Sequence, residues 1–125
     1  MNMPHLTLEY TRNLIDLDPA ATLRRLNVTM LASGLFEEAD IKSRAVALDH
    51  WQVGVAADRR TQAFVHVKIA LLAGRPPEVR RVLAEAVLAA LHPCCGAPAG
   101  IALQCCVETR EIDRASYAKE SFIAE

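Results

Sequence analysis

Two proline-led helix starts constrain this chain more than any other feature. In DPAATLRRLNVTMLASG, Asp18 is placed as an N-cap and Pro19 at the first helical position; in GRPPEVRRVLAEAVLAALHP the prolines repeat the device, with Pro77 lying 58 residues after Pro19. An alternating run precedes each start. His5 to Tyr10 sets Leu6, Leu8 and Tyr10 on one face and His5, Thr7 and Glu9 on the other, and AFVHVKIALLA from Ala63 lines up Val65, Val67, Ile69 and Leu71. At the same offset Leu6 falls on Phe64, inside the second of these runs. A further strand-like run follows each helix, at Ser43 to Trp51 and at Ile101 to Val107. The order is strand, helix, strand, twice over. We therefore expect an α+β (α/β) domain spanning residues 1–125 and built from two tandem βαβ units, with pseudo-repeats at about 4–53 and 62–112. Right-handed crossovers then give one four-stranded sheet with both helices on one face.

The apolar stripe of the first helix runs through Leu23, Leu26, Met30 and Leu31 and stops at Gly34. That of the second takes Val79, Val82, Leu83, Ala86, Val87 and Ala90 and is ended by Pro93. The stretch QVGVAADRRTQ reads as a loop, and Arg80 and Arg81 belong to a solvated helix face. With helices on one side only, the other face of the sheet is left bare. The chain is 52% apolar but only 5% aromatic. An aliphatic excess of this kind in a small domain favours burial against copies of itself, and three subunits packed sheets inward is the expected solution.

Other function classes recede on composition. A net charge of −1 offers no electrostatic ground for nucleic acid or an anionic membrane surface as a partner. The longest apolar stretch, Val82 to Leu91, is interrupted by Glu85 and falls short of the roughly 20 residues a bilayer requires. No secretory pattern opens the chain, so a cytoplasmic protein is expected. The cysteines form two adjacent pairs, Cys94-Cys95 and Cys105-Cys106, without the spacing that turns two sulfurs to one ion, and His5, His50, His66 and His92 are scattered. No metal site is expected. His66, sharing a strand face with Phe64 and Lys68, is the histidine placed to line a pocket.

In order and spacing, PHLTLEYTRN, ASGLFEEADIKSRAVALDHWQ and AFVHVKIALLAGRPPEVRR resemble the 5-carboxymethyl-2-hydroxymuconate Δ-isomerase family of the tautomerase superfamily. The likeness is close from Pro4 to about Arg81 and holds only in pattern beyond it. It implies a homotrimer of double-βαβ subunits and a cofactor-free isomerase of aromatic-compound breakdown, such as homoprotocatechuate degradation. The implied substrate is an unsaturated di- or tricarboxylate of the 2-hydroxymuconate type. The implied base and acid is Pro4, acting through the amine freed when the initiator methionine is removed. Such an amine titrates near 7.7–8.0 in simple compounds, and burial beside cations lowers it further. Arg75 matches the family's carboxylate-gripping arginine. The segment IKSR keeps Arg44 but carries Lys42 where the family has arginine, and a lysine lacks the guanidinium fork. Trp51 matches a family aromatic that packs.

The offset of 58 maps Pro4 onto Gln62, Arg44 onto Ala102 and Arg75 onto Leu17, so neither half holds a complete set. A site must combine both halves, in one subunit or between neighbours. The same fold also suits a trimeric binding or structural protein with an inactive proline, or a proline-dependent hydratase or decarboxylase. Processing at MNMP separates the first of these. A methionine is removed before proline but not before asparagine, so translation from Met1 leaves Pro4 locked in a peptide bond, while translation from Met3 frees it. We take Met3 as the natural start, and expect Met1 and Asn2, where retained, to lie in or across the mouth of the site.

Overall fold

The structure is a computed structural model that describes residues 3–56 and 58–124. The expectation for Met1 and Asn2 therefore lies outside the described residues. Strand β1 spans His5–Thr11 and helix α1 Pro19–Ala32, with Asp18 accepting from the Ala21 amide at 3.2 Å. Gly34, at φ 75°, supplies the left-handed residue beyond the helix end. Strand β2 spans Lys42–Leu48 and strand β3 Gln62–Leu72; helix α2 follows over Pro77–Leu91 and strand β4 over Ala102–Ile112.

The strands form one sheet in the order β2-β1-β3-β4. Each βαβ unit contributes a parallel pair, β1 with β2 and β3 with β4, and the two units meet through the antiparallel pair β1 and β3. The helices cover one face. Leu6 and Leu8 of β1 and Val65, Val67, Ile69 and Leu71 of β3 are wholly buried there, against Leu26 and Met30 of α1 and Leu83, Val87 and Leu91 of α2. Truncating any of the large ones to alanine costs about 2–5 kcal/mol, through the burial lost and the cavity left behind.

The helix stripes are narrower than their sequence pattern. Leu31, Val82 and Ala86 lie outside the core, and Thr22 takes a buried place on α1 instead. Val82 and Ala86 line an apolar groove between the two helices, where one layer of helices leaves a furrow. Arg80 is half-buried rather than solvated, with Nη2 3.6 Å from Glu111 and Nε donating to the Arg75 carbonyl.

The opposite face of the sheet carries no helix among the described residues. It presents His5, Thr7 and Glu9 of β1, Arg44 and Val46 of β2, Phe64, His66 and Lys68 of β3, and Gln104, Cys106 and Glu108 of β4. Within it His66 Nε2 lies 2.8 Å from Glu108, which also accepts from Arg110 at 2.8 Å.

Candidate active site

The register gathers one end of the sheet around Pro4. Pro4 is buried, and its carbonyl accepts from the Lys42 amide at 3.2 Å, joining the first residue before β1 to the start of β2. His5 is opposite Lys42 on one side and Ala70 on the other, and Leu72 is opposite Ile112. The beginnings of β1 and β2 and the ends of β3 and β4 therefore share this end. Beyond β3, Gly74 and Arg75 turn into α2; beyond β4, a short turn at Arg114–Ser116 leads to Tyr117 and Lys119. The Met3 side chain, only 1% exposed, fills an apolar position in the core cluster directly before Pro4.

Arg75 is held on the helix side of this end. Its Nη2 donates to the Leu35 carbonyl at 3.1 Å, and its guanidinium carbon stands 5.1 Å from the centre of the Phe36 ring. Nη1 is buried and has no hydrogen-bond partner among the described residues. Burial, then the neighbouring Arg114, lower the Arg75 pKa, so the pocket around it would gain from an anion. Arg114 itself donates from Nε to the Ala73 carbonyl at 2.6 Å, tying the chain after β4 to the loop after β3.

Lys42 and Arg44 stand on β2, on the other flank of β1. The Lys42 ammonium donates to the Asp40 carbonyl. Burial, then Lys119, hold Lys42 below the usual lysine range, with Arg44 adding to the effect and Asp40 opposing it. Arg44 lies on the open face and reaches His5, Nη2 to Nδ1, at 2.8 Å; His5 Nε2 is 3.4 Å from the Tyr117 hydroxyl. Burial, then Lys42, Arg44 and Lys119, lower the His5 pKa. Lys119 pairs with Asp40 at 3.0 Å and, by that hydrogen bond first, draws the Asp40 carboxyl below its ordinary value.

Of the residues expected from sequence, Pro4, Lys42 and Arg44 come together along the β1–β2 edge. Arg75 shares their end of the sheet but turns toward the helix layer, so the two arginines approach from different sides. His5, Asp40, Tyr117 and Lys119 belong to the same constellation and were not expected from sequence. Only the position of His5 next to Pro4 gave any signal. His66 sits instead on the open face, where it lines a shallow cavity with Glu9, Phe64, Gln104 and Cys106. Trp51 has a packing and stitching role: its indole N–H donates to the Gln62 and Arg59 carbonyls, and Arg59 stacks on its ring.

Paired βαβ units on one sheet, with a proline before the first strand and cations around it, define a member of the tautomerase superfamily. The sequence model of the 5-carboxymethyl-2-hydroxymuconate isomerase family matches residues 4–125, and the chain belongs to that family. The 5-carboxymethyl-2-hydroxymuconate Delta-isomerase of Escherichia coli is 33% identical over 84 residues, which cover 66% of this chain and 65% of that relative; the match thus spans just under two-thirds of its length. The crystal structure of a 5-carboxymethyl-2-hydroxymuconate isomerase from Deinococcus radiodurans R1 superposes with a TM-score of 0.87 at 32% identity, over 97% of this chain and 91% of that one. A fused 4-OT wild type, described as a symmetric trimer, shares the fold at a TM-score of 0.70 and 18% identity, over 96% and 94% of the two chains.

Proposed function

We propose that this chain is a cofactor-free isomerase that moves a proton and a double bond in a 2-hydroxymuconate-type unsaturated di- or tricarboxylate, with Pro4 as base and acid. The observation that carries the reading is the buried, unpartnered Nη1 of Arg75 at the proline end of the sheet. An orphaned donor on a cation costs stability unless a ligand completes it, and a carboxylate is the group whose geometry the fork fits. The span matched by the family opens at Pro4, which agrees with a mature chain beginning there.

In this reading the Pro4 amine takes the hydroxyl proton of the dienol, the oxygen's electrons form the carbonyl, the double bonds shift, and the protonated amine returns the proton to the far carbon. Negative charge spreads over the dienolate between these steps. Arg75 holds one carboxylate from the helix side, and Arg44 or Lys42 meets another, or the developing charge, from the β2 side. Lys42, Lys119 and the arginines also keep the amine neutral at lower pH than a solvated one. Removal of Met3 frees the amine and vacates the apolar position beside it for the substrate's carbon chain. Three copies packed on their open sheet faces complete the assembly; the family resemblance and the trimeric relative support this arrangement.

The test is a pair of proteins. One is translated from Met3 and verified by mass to begin at Pro4; the other retains Met1, Asn2 and Met3. Each is assayed for ketonisation of a 2-hydroxymuconate by ultraviolet absorbance. Turnover is expected of the first alone, and equal turnover by the second would end the proline mechanism.

A further inference from the structure

We propose that His5 is a positioning residue for this reaction: by accepting from the Arg44 guanidinium, it fixes that cation at the proline end, and it does so only while its imidazole is neutral. The proposal rests on the isomerase reading above, in which Arg44 meets the substrate's charge. A guanidinium has donors and no acceptor, so at 2.8 Å from Arg44 Nη2 the His5 Nδ1 atom must present its lone pair. The ring hydrogen then sits on Nε2 and donates to the Tyr117 oxygen at 3.4 Å. Both ring nitrogens are used, and the neutral Nε2–H tautomer is the one that satisfies them together.

The surroundings oppose a charge on His5 from every side. β2 presents Lys42 directly opposite and Arg44 on the diagonal; β3 presents Ala70 opposite and Lys68 next along the face. The segment after β4 brings Tyr117 and Lys119. Asp40, the neighbouring carboxylate, is engaged by Lys119 at 3.0 Å. Protonation at Nδ1 would turn the acceptor into a donor facing a cation, and Arg44 would lose its anchor.

The gain for a reaction lies in preorganisation. Arg44 is exposed and its long side chain has many rotamers, whereas His5 is a rigid ring on the central strand next to Pro4. Fixing the guanidinium before substrate arrives removes part of the ordering cost of binding. Loss of the acceptor should therefore appear in KM more than in kcat.

The experiment uses the chain that begins at Pro4, in its natural oligomeric state, assayed on a 2-hydroxymuconate from about pH 5 to about pH 8, the range in which histidine titrates. His5→Asn keeps an acceptor near the Nδ1 position and does not titrate; His5→Leu keeps bulk without an acceptor. For the wild type, KM should rise by about tenfold toward the acid end of this range, because burial and the cations around His5 hold its pKa below the ordinary histidine value. His5→Asn should hold KM within about threefold of wild type at neutral pH and lose the acid limb of the KM profile. His5→Leu should have KM raised about tenfold at every pH, with kcat near wild type. Titration of the Pro4 amine moves kcat/KM in all three alike, so the two effects separate. Nitrogen-15 shifts of the His5 ring should report the Nε2–H tautomer. An unchanged KM in His5→Leu, an acid limb persisting in His5→Asn, or the Nδ1–H tautomer would each overturn the proposal. Absence of turnover by the wild type defeats the isomerase reading itself, whereas turnover with any of those three results defeats only the role of His5.

Discussion

Replacing Arg75 by alanine separates a binding role from a structural one, because the two have opposite signatures here. On the binding side, a charge-assisted hydrogen bond is worth about 1.5–3 kcal/mol, and each 1.4 kcal/mol is tenfold in affinity. If Nη1 completes its hydrogen bonding on a substrate carboxylate, Arg75→Ala should raise KM by about 10- to 150-fold. kcat should fall only as far as that bond strengthens in the dienolate. On the folding side, the variant loses the charge-assisted Leu35 bond and the contact with Phe36, together about 2–4 kcal/mol. It also removes a buried donor without a partner, which offsets about 1–3 kcal/mol of that loss. The net loss is about 1 kcal/mol, so the melting temperature should stay within about 5 °C of wild type. Arg75→Lys keeps the charge without the fork and should fall between the two in KM. Steady-state kinetics beside calorimetry decides the matter. A KM within about twofold of wild type would refute the reasoning, and so would a large rise in KM accompanied by a collapse in melting temperature.

Three further predictions concern charge and thiol reactivity. The folded-state pKa of Asp40 is lowered, chiefly by its bond to Lys119, so its contribution to stability is in full above its ordinary value of 3.8 and is lost as pH falls through the folded value. Asp40→Asn should flatten the acid limb of the stability-against-pH curve measured by urea unfolding and leave its neutral limb parallel to wild type; an unaltered acid limb would show that the pair does not form in solution. Cys95 is 1% exposed, and burial, then Cys105, push its thiol up to about 12. Iodoacetamide should leave it unmodified until the protein unfolds. Cys106 stands on the open face and should be reactive in a monomer but protected in a trimer packed sheets inward, while Cys94 reacts in both. Native-state labelling of Cys106 in a species of trimeric mass would refute that packing.

Periodicity and capping made the fold legible, and the failures are local. β2 was expected to reach Trp51 but ends at Leu48, because its parallel partner β1 ends at Thr11, opposite Leu48, and Arg12 and Asp49 then pair just beyond the two strand ends. β4 was expected to stop at Val107 but continues to Ile112 alongside the full length of β3. Its last part, ETREI, lies at the sheet edge, where charged side chains serve as well as apolar ones and alternation gives no signal. Pro4, Arg44, Lys42 and Arg75 were legible only through the family resemblance, since an isolated proline or basic residue has many ordinary uses. Lys119 and Asp40 meet across 79 residues, and Tyr117 and His5 across 112, so pairings of that kind become visible only when the register of the sheet is known.

The internal repeat also explains why one end of the sheet carries the candidate chemistry. Near two-fold arrangement of the halves gives the opposite end an equivalent set of strand termini, with Gln62 in the place of Pro4. There the polar groups satisfy the backbone instead of a ligand: Trp51 Nε1 and Asn13 Nδ2 both donate to the Gln62 carbonyl, and Arg59 Nη1 donates to the Asp49 carbonyl. At the Pro4 end Arg75 Nη2 is anchored on the Leu35 carbonyl, while Nη1 has no partner among the described residues. Asn13 also keeps a buried Oδ1 without a partner among the described residues, so the contrast lies in the donors: those of Trp51 and Asn13 are spent on the Gln62 carbonyl, whereas Arg75 keeps a buried cationic donor that a ligand would complete. The asymmetry between two ends built on the same plan is therefore an argument for binding that neither end could supply alone.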